Sequence, residues 1–275
     1  KSFIQMKILL NNNDLNEALY TVSNLGFVPT MGSLHKGHIS LIKKSLKQCK
    51  KTIVSIFVNP TQFNKKKDYK KYPRNIEKDL STLKKLNVDY LFLPKNKDIY
   101  NNLKRPKFYL NKKDKILCAK YRKGHFEGVI DVMDRLTYMI KPKIIFMGEK
   151  DFQQLYLVKR YIEKKYNTVI VSCKTIRDKN KLALSSRNLL LKKNKLNQAA
   201  KLINDLILFK SYLIGKKNIK NLLDLKKNKL KRLYKIKIEY LDLRNKSNLK
   251  SSNEVKNSNI FVAFYINKVR LIDNF

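Results

Sequence analysis

The chain contains few of the residues that build metal clusters or covalent cross-links. Its 275 residues include three cysteines and three histidines. The cysteines Cys49, Cys118 and Cys173 are odd in number and far apart, which argues against a disulfide framework or a CxxC metal site. The few Cys and His residues also form no zinc-ligand spacing. We therefore predict reduced, structural cysteines.

Long apolar runs are missing as well. No stretch approaches the roughly 18 uncharged residues of a transmembrane helix, and residues 1–10 lack the shape of a secretory signal. With 43% hydrophobic residues, the chain is still able to bury a sizeable core. We expect a soluble, cytoplasmic protein with no membrane partner.

Acidic residues are scarce, so the charge balance is strongly basic. The 62 Lys and Arg against 21 Asp and Glu give a net charge of +41, a value that suggests nucleic acid or anionic membrane. The basic residues are mostly lysines, spread among Asn, Ile and Leu rather than gathered in one arginine-rich stripe. We attribute the charge to compositional drift and predict weak, salt-dependent polyanion binding without a specific nucleic-acid partner.

The order of apolar segments indicates an α/β fold. Short β-rich runs alternate with amphipathic segments, which predicts βαβ units and a parallel sheet. The β-rich runs are residues 25–29, 52–58, 89–93, 144–147 and 168–172, and the amphipathic segments include 39–51 and 75–86. From about Arg177 the alternation of short β-rich and helical segments gives way to a long Lys- and Leu-rich helical region. This change predicts a smaller α+β domain. Its predicted elements are a helical region at 194–213 and strands at 235–241 and 259–266.

The scarce histidines and glycines gather in a few short segments. His35 and His38 lie in residues 27–38 (FVPTMGSLHKGH), and His125 lies in 122–128 (RKGHFEG). A lone histidine is more often a satisfied core residue, and a lone glycine a turn. Five of the seven glycines nevertheless fall in these segments or in 146–154 (FMGEKDFQQ), namely Gly32, Gly37, Gly124, Gly128 and Gly148. Such gathering indicates a functional site.

The first of these segments has the features of a phosphate site. A predicted strand ends at Pro29, Gly32 permits close backbone approach, and the next helix directs its free N–H groups outward, where phosphate binds well. The spacing of three places His35 and His38 on one face of the first turn, so both can donate to phosphate oxygens. The HxxGH pattern alone marks a broad class of nucleotide-transferring enzymes.

Four further segments narrow that class. They are residues 55–63 (SIFVNPTQF), 72–74 (YPR), 146–154 and 182–188 (LALSSRN). In this order and spacing, with the two histidine segments, they resemble the pantothenate synthetase (pantoate–β-alanine ligase) family. The resemblance runs from about Gly26 to Asn188 and resumes at 270–274 (RLIDN).

The resemblance implies an ATP-dependent ligation in two steps. A pantoate oxygen attacks the α-phosphorus of ATP to give pantoyl adenylate and pyrophosphate, and β-alanine then displaces AMP. Neither step needs a protein nucleophile, so the enzyme positions reactants and stabilises phosphoryl charge. The resemblance also implies a homodimer, a Rossmann-like ATP- and pantoate-binding domain at 1–176, and a smaller α+β domain at 177–275 that closes over the ATP site.

The resemblance further assigns site residues. His38 takes the place of the proton donor, and His35 contacts phosphate. The other predicted catalytic donors are Lys150, Ser185, Ser186 and Arg187. The predicted ATP-binding residues are Met31, Gly32, Ser33, Leu34, His35, Lys36, Gly37, His38, Gly148, Glu149, Lys150, Asp151, Ile176, Leu184, Ser185, Ser186 and Arg187, the last four in a mobile phosphate-binding loop.

Pantoate and β-alanine have predicted residues of their own. Gln62 and Gln154 match amides that hydrogen-bond pantoate, and Asn59 and His125 line the same pocket. Each amide, taken singly, is more simply explained as a surface side chain. Taken singly, Lys150 is likewise more simply explained as one more exposed lysine, but a preceding glycine at a strand end gives weight to a ligand site.

The chain departs from the family pattern at three lysines. Lys78 replaces one of several adjacent acidic residues, one of which is linked to the metal. Asp79 is then the predicted ligand of Mg²⁺, with Glu77 as the alternative, and Mg²⁺ would bridge the phosphates. Lys181 replaces a usual glycine and Lys123 a usual proline, changes that affect loop motion and turnover more than the reaction.

Two other functions stay open on the sequence alone. One is another HxxGH adenylyl- or cytidylyltransferase that acts on a different small substrate without forming an amide. The paired Gln62 and Gln154 argue against it. The other is a basic RNA-binding protein on a degenerate enzyme scaffold, which predicts tight polynucleotide binding and no turnover.

Overall fold

The computed structural model describes residues 5–64, 66–100 and 107–275. The chain divides into two compact units, which we call the N-terminal unit and the C-terminal unit. The first comprises Lys1–Glu149 and Gln154–Lys174, and the second comprises Lys150–Gln153 and Thr175–Phe275. Among the described residues, no helix combines the length and apolar character needed to cross a membrane.

The N-terminal unit is built on a six-stranded parallel sheet, which confirms the predicted α/β class. The strands have the order β1-β4-β3-β2-β5-β6. Their bounds are β1 Lys7–Leu9, β2 Leu25–Thr30, β3 Lys51–Ile56, β4 Tyr90–Phe92, β5 Ile144–Gly148 and β6 Val169–Cys173. In the centre of the sheet, Phe27 pairs with Ile53 on one side and Ile145 on the other. Successive residues of β2 are buried, as in a parallel sheet covered on both faces.

The order of these strands creates a switch point. The chain proceeds from β2 outward through β3 and β4 on one side, and through β5 and β6 on the other. The connections that leave the carboxyl ends of β2 and β5 therefore diverge, and α/β proteins bind ligands in the crevice at such a point. Met31 follows β2 there, and Glu149 follows β5.

Of the helices up to residue 165, α2 (Lys36–Gln48) and α4 (Ile76–Lys85) correspond to the two amphipathic segments named from the sequence. Their bounds are α1 Asn12–Leu19, α2 Lys36–Gln48, α3 Lys66–Lys70, α4 Ile76–Lys85, α5 Asn96–Tyr100, α6 Leu117–Tyr121, α7 His125–Ile140 and α8 Phe152–Lys165. The helix predicted at 39–51 begins at Lys36 because His35 caps it, and it ends before Lys51 because β3 starts there. Helix α7 was not named from the sequence, and most of its residues are buried.

The C-terminal unit packs two helices against an antiparallel sheet, as an α+β domain requires. Its elements are α9 Lys193–Tyr212, α10 Ile219–Tyr234, β7 Lys237–Asn245, β8 Ser258–Ile266 and β9 Val269–Asn274. The core joins Leu202 and Leu206 of α9 to Val262 and Phe264 of β8. Strand β9 was not predicted, because its hairpin turns through Asn267 and Lys268, both at positive φ, without the usual glycine.

Candidate active site

The loop after β2 has an unusual backbone that is held from two sides. Gly32 and Ser33 both lie in the left-handed region, at φ of 77° and 52°. The Thr30 hydroxyl accepts the Gly32 N–H at 3.1 Å and donates to the Ser55 carbonyl at 2.7 Å. Asp79 accepts the N–H groups of the two residues that follow Gly32, at 2.7 Å each. The loop therefore enters helix α2 in one fixed conformation.

The two histidines of this segment stand side by side at the start of α2. Their ring centroids are 4.1 Å apart. His35 is the N-cap, and its Nδ1 accepts the Gly37 N–H at 3.1 Å. The Nδ1 of His38 accepts the N–H of His35 at 3.3 Å. Because each Nδ1 is an acceptor, each neutral ring carries its proton on Nε2.

The start of α2 is consequently suited to an anion. Its first turn contains no acidic residue, and the helix dipole places partial positive charge there. The two Nε2–H groups add donors to this end of the helix. Of the remaining predicted ATP residues in the segment, Leu34 is buried, Met31 is partly buried and Lys36 is exposed.

Gln62 is a buried amide whose side chain is tied to the ATP segment. Its Nε2 donates to the sulfur of Met31 at 2.7 Å, and its Oε1 accepts from Asn59 Nδ2 at 3.4 Å. Asn59 Nδ2 also donates to the Gly128 carbonyl at 3.0 Å. The structure therefore joins three of the predicted segments, those around Met31, Gln62 and Gly128, within the N-terminal unit.

Tyr100 contacts Asn59, and no sequence motif had indicated that it belongs to this group of residues. Its hydroxyl donates to Asn59 Oδ1 at 2.7 Å. Burial raises the pKa of Tyr100 to about 12, with smaller opposing effects from its hydrogen bonds and from Arg135. The phenol therefore stays protonated at neutral pH and remains a donor.

His125 acts on the backbone of Gln62. Its Nδ1 lies 2.7 Å from the Gln62 carbonyl oxygen, and its Nε2 lies 2.8 Å from Arg122 Nη1. A carbonyl only accepts and a guanidinium only donates, so Nδ1 carries the proton and Nε2 accepts. The imidazole is thus neutral and bridges two protein groups, which gives it a positioning role that the sequence motif did not reveal. Its contact with substrate stays a prediction.

Strand β5 leads into the second predicted ATP segment. Gly148 ends the strand, and a 3₁₀ turn follows at Glu149–Asp151. The Lys150 side chain is only 18% exposed, and its Nζ lies 3.4 Å from Asp151 Oδ1, a weak ion pair. Gln154 is half-buried in the first turn of α8.

The third predicted ATP segment forms an anchored loop in the C-terminal unit. Its base is closed by the Leu184 N–H, which donates to the Ile176 carbonyl at 3.0 Å. Ser185 caps the 3₁₀ helix Ser186–Leu190, and its hydroxyl accepts the Arg187 N–H at 3.3 Å. The Arg187 guanidinium donates to the Arg270 carbonyl at 3.1 Å. The structure thus fixes the base of this loop and its arginine.

A protein-built metal centre is not evident in the part of the chain that the structure describes. No group of three or more His, Cys, Asp or Glu side chains there is arranged to hold a metal ion. Both oxygens of Asp79, the predicted ligand of Mg²⁺, accept backbone N–H groups. Within the described ranges, therefore, side chains alone do not form a fitted Mg²⁺ site.

The parallel sheet has a histidine-capped helix at its switch point, and the buried amide of Gln62 reaches the same loop. These features define an α/β nucleotide-dependent enzyme. Comparison with known proteins makes the class specific. The family model for pantoate-beta-alanine ligase matches residues 7–275. The chain therefore belongs to the pantoate–β-alanine ligase family, which confirms the family indicated by its motifs.

Relatives and solved structures agree across nearly the whole chain. The pantothenate synthetase of Flavobacterium psychrophilum is 39% identical over 266 residues, 94% of each chain. That of Francisella tularensis subsp. mediasiatica is 41% identical over 268 residues, 96% of this chain and 93% of the relative.

Two crystal structures give the same result in three dimensions. The pantoate-beta-alanine ligase of Francisella tularensis, complexed with beta-gamma ATP and beta-alanine, superposes with a TM-score of 0.84 at 39% identity, over 98% of this chain and 97% of that one. The pantothenate synthetase of Thermus thermophilus gives 0.91 at 30% identity, over 98% and 99%.

Proposed function

We propose that this protein joins pantoate to β-alanine with ATP, giving pantothenate, AMP and pyrophosphate through a pantoyl-adenylate intermediate. The observation that carries the proposal is the family match over residues 7–275. The Francisella relative complexed with beta-gamma ATP and beta-alanine supports the same substrates here. A carboxylate is a poor acyl electrophile, and adenylation gives it AMP as a leaving group.

The first step needs positive charge around the phosphates of ATP. We assign that task to the start of α2, to the Nε2–H groups of His35 and His38, and to the cations of Lys150 and Arg187. These groups donate toward the phosphoryl oxygens on which charge develops as pyrophosphate leaves. Ser185 and Ser186 add hydroxyl donors, and His38 holds the place of the proton donor.

Pantoate needs a polar pocket that fixes its carboxylate near the α-phosphorus. We assign its recognition to the amides of Gln62 and Gln154. The support is the burial of Gln62, together with the way Asn59 and His125 hold its side chain and its carbonyl. A pre-positioned amide lowers the entropic cost of bringing two substrates together. β-Alanine then attacks the acyl carbon with its neutral amine, and AMP departs.

We propose that Mg²⁺ enters with ATP. Mg²⁺ usually keeps several waters and is held by phosphates with one or two carboxylates. That habit agrees with the lack of a fitted cluster among the described side chains.

The remaining parts of the proposal concern assembly, location and domain division. We propose a homodimer in the cytoplasm, with a Rossmann-like domain at 1–176 and a smaller domain at 177–275. Sedimentation velocity at several protein concentrations tests the dimer. A single species at the mass of one 32.5 kDa chain would contradict it.

One assay separates the proposed function from its competitors. Purified protein is incubated with pantoate, β-alanine, ATP and Mg²⁺, and AMP is followed with each substrate omitted in turn. We expect AMP release only when pantoate and β-alanine are both present. AMP release without either would overturn the ligase proposal. Tight, salt-resistant RNA binding without turnover would favour the nucleic-acid alternative instead.

A further inference from the structure

The strand β9 carries a motif that the proposed reaction does not use. Residues 270–274 (RLIDN) belong to the family resemblance, yet no substrate has been assigned to them. Asp273 is 4% and Asn274 6% exposed. Buried polar side chains are almost always hydrogen-bonded, so their partners show what they hold.

Asn274 joins β9 to the backbone of a predicted catalytic lysine. Its Nδ2 donates to the Lys150 carbonyl at 3.0 Å. Its Oδ1 accepts from Asn259 Nδ2 at 3.0 Å. The side chain at this position therefore donates at one end and accepts at the other, a combination that an aspartate does not provide.

Asp273 joins the same strand to the start of the phosphate-binding loop. Arg177 donates to its two carboxylate oxygens at 2.7 and 2.9 Å. The same guanidinium donates to the Asn274 carbonyl at 3.0 Å and to the Lys181 carbonyl at 2.9 Å. A bidentate pair with two further bonds orients Arg177 in one geometry.

Arg270 brings the second predicted cation to the strand. Its carbonyl accepts from Arg187 Nη1 at 3.1 Å, and its own guanidinium pairs with Glu239 at 2.7 Å. The Arg270–Glu239 pair is buried, so this part of β9 has little freedom to move. Strand β9 thus contacts Lys150 at one end and Arg187 at the other.

We propose that β9 is a positioning strand for the phosphate-binding cations, and that Asn274 acts through Lys150. The proposal rests on the proposed ligase function for the role of Lys150. Asn274 fixes the main chain of Lys150, and the position of the Lys150 ammonium relative to bound ATP is thereby restricted. Catalysis is sensitive to displacements of about 1 Å in such groups. Asn274 is therefore a positioning residue and does not itself touch substrate.

A double-mutant cycle between Asn274→Ala and Lys150→Ala tests this coupling. Two quantities are measured in the wild type, both single variants and the double variant: the dissociation constant of a non-hydrolysable ATP analogue, by calorimetry, and the rate of AMP formation. We expect Asn274→Ala to weaken analogue binding about tenfold in the wild type. In the Lys150→Ala background it should have almost no further effect, because the ammonium it positions is gone.

Two matched variants separate positioning from loss of stability. Asn274→Asp keeps the shape but lacks the donor for the Lys150 carbonyl, and we expect it to behave like Asn274→Ala. Gln198→Ala removes another amide of the C-terminal unit, which donates to the Tyr234 carbonyl at 2.8 Å. We expect it to lower the melting temperature without changing the dissociation constant.

The outcomes distinguish this proposal from the proposed function. If Asn274→Ala weakens analogue binding by the same factor in both backgrounds, the role through Lys150 is wrong. If Asn274→Asp binds the analogue like the wild type, the donor to Lys150 is irrelevant and the proposal again fails. If the wild type binds the analogue but makes no AMP from pantoate and β-alanine, the ligase function fails, whereas the coupling is still measured by calorimetry.

Discussion

Asp79 holds Ser33 through a hydrogen bond of 2.7 Å from the Ser33 N–H to its carboxylate, and its second oxygen does the same for the Leu34 N–H. Asp79 is almost fully buried in the first turns of α4. Gly32 and Ser33 both have positive φ, a conformation that is costly for serine. The carboxylate therefore stabilises a strained loop at the start of the predicted ATP site.

Asp79→Asn should disturb this loop. The amide keeps one acceptor oxygen but turns an NH₂ toward the other backbone N–H. We expect the free energy of unfolding to fall by about 1–3 kcal/mol, the usual cost of leaving a buried donor unsatisfied. The loop leads into α2, so its disturbance should also weaken the binding of an ATP analogue. We expect a loss of affinity of about tenfold, which corresponds to about 1.4 kcal/mol of binding free energy.

Chemical denaturation and calorimetry check both expectations. Asp68→Asn, the same change at an exposed carboxylate of α3, serves as the control and should leave both values unchanged. An Asp79→Asn variant with normal stability and a shifted Mg²⁺ requirement would instead assign Asp79 to the metal.

His35 combines two roles that different substitutions can separate. As the N-cap of α2 it accepts the Gly37 N–H, and its Nε2 is the predicted phosphate donor. His35→Ala should lose both, with a stability cost of about 1 kcal/mol for the cap. His35→Asn should keep the cap, because asparagine is a favourable N-cap residue, and should lose only the phosphate donor.

Rates of adenylate formation and unfolding curves separate the two roles. We expect both variants to slow adenylation about a hundredfold, as for loss of a transition-state donor, while only His35→Ala is less stable. His38→Ala should slow it to a similar degree and provides the comparison within the pair. Near-normal rates in His35→Asn would show that capping is the whole contribution of His35.

Several features of the site were predictable from sequence because they depend on neighbours along the chain. The histidine pair at the start of a helix follows from spacing alone, and so does the parallel sheet from the alternation of apolar runs. The role of Asp79 was not predictable, because its partners lie more than 40 residues away. Tyr100 lacked any local motif for the same reason. The turn at Asn267 and Lys268 was missed because neither residue is a glycine.

Lys181 occupies a position where the chain needs a left-handed residue. Its φ is +65°, a conformation in which glycine, which has no Cβ, is unstrained. A non-glycine residue in this conformation costs about 1–2 kcal/mol. Glycine removes this cost, but its greater freedom in the unfolded chain offsets part of the gain. We therefore expect Lys181→Gly to raise the free energy of unfolding by a net amount of about 1 kcal/mol.

Denaturation curves test the strain, and steady-state kinetics test the loop. Lys179→Gly is the matched control, since Lys179 is also exposed but is not among the described residues with positive φ. It should gain no stability. Pantoate affinity should stay unchanged in Lys181→Gly while turnover rises. A large change in pantoate affinity would contradict the assignment of this loop to phosphate binding.

Gly128 permits a close backbone approach beside the predicted pantoate pocket. A Cβ at this position would lie 2.7 Å from the Thr61 carbonyl oxygen and 2.8 Å from its carbonyl carbon. Both are backbone atoms beside Gln62, so they cannot rotate away. Alanine in a helix interior is worth about 1 kcal/mol over glycine, whereas overpacking against a fixed neighbour costs about 1–3 kcal/mol.

The clash should therefore outweigh the helical preference in Gly128→Ala. We expect a net loss of about 1 kcal/mol or more in unfolding free energy, with a raised KM for pantoate and little change in KM for ATP. Gly148→Ala is the stability control, because a Cβ there meets nothing within 4 Å. A Gly128→Ala variant that is more stable than the wild type would mean that α7 can shift away from Thr61. In that case Gln62 should move as well, and the rise in KM for pantoate should persist without any cost in stability.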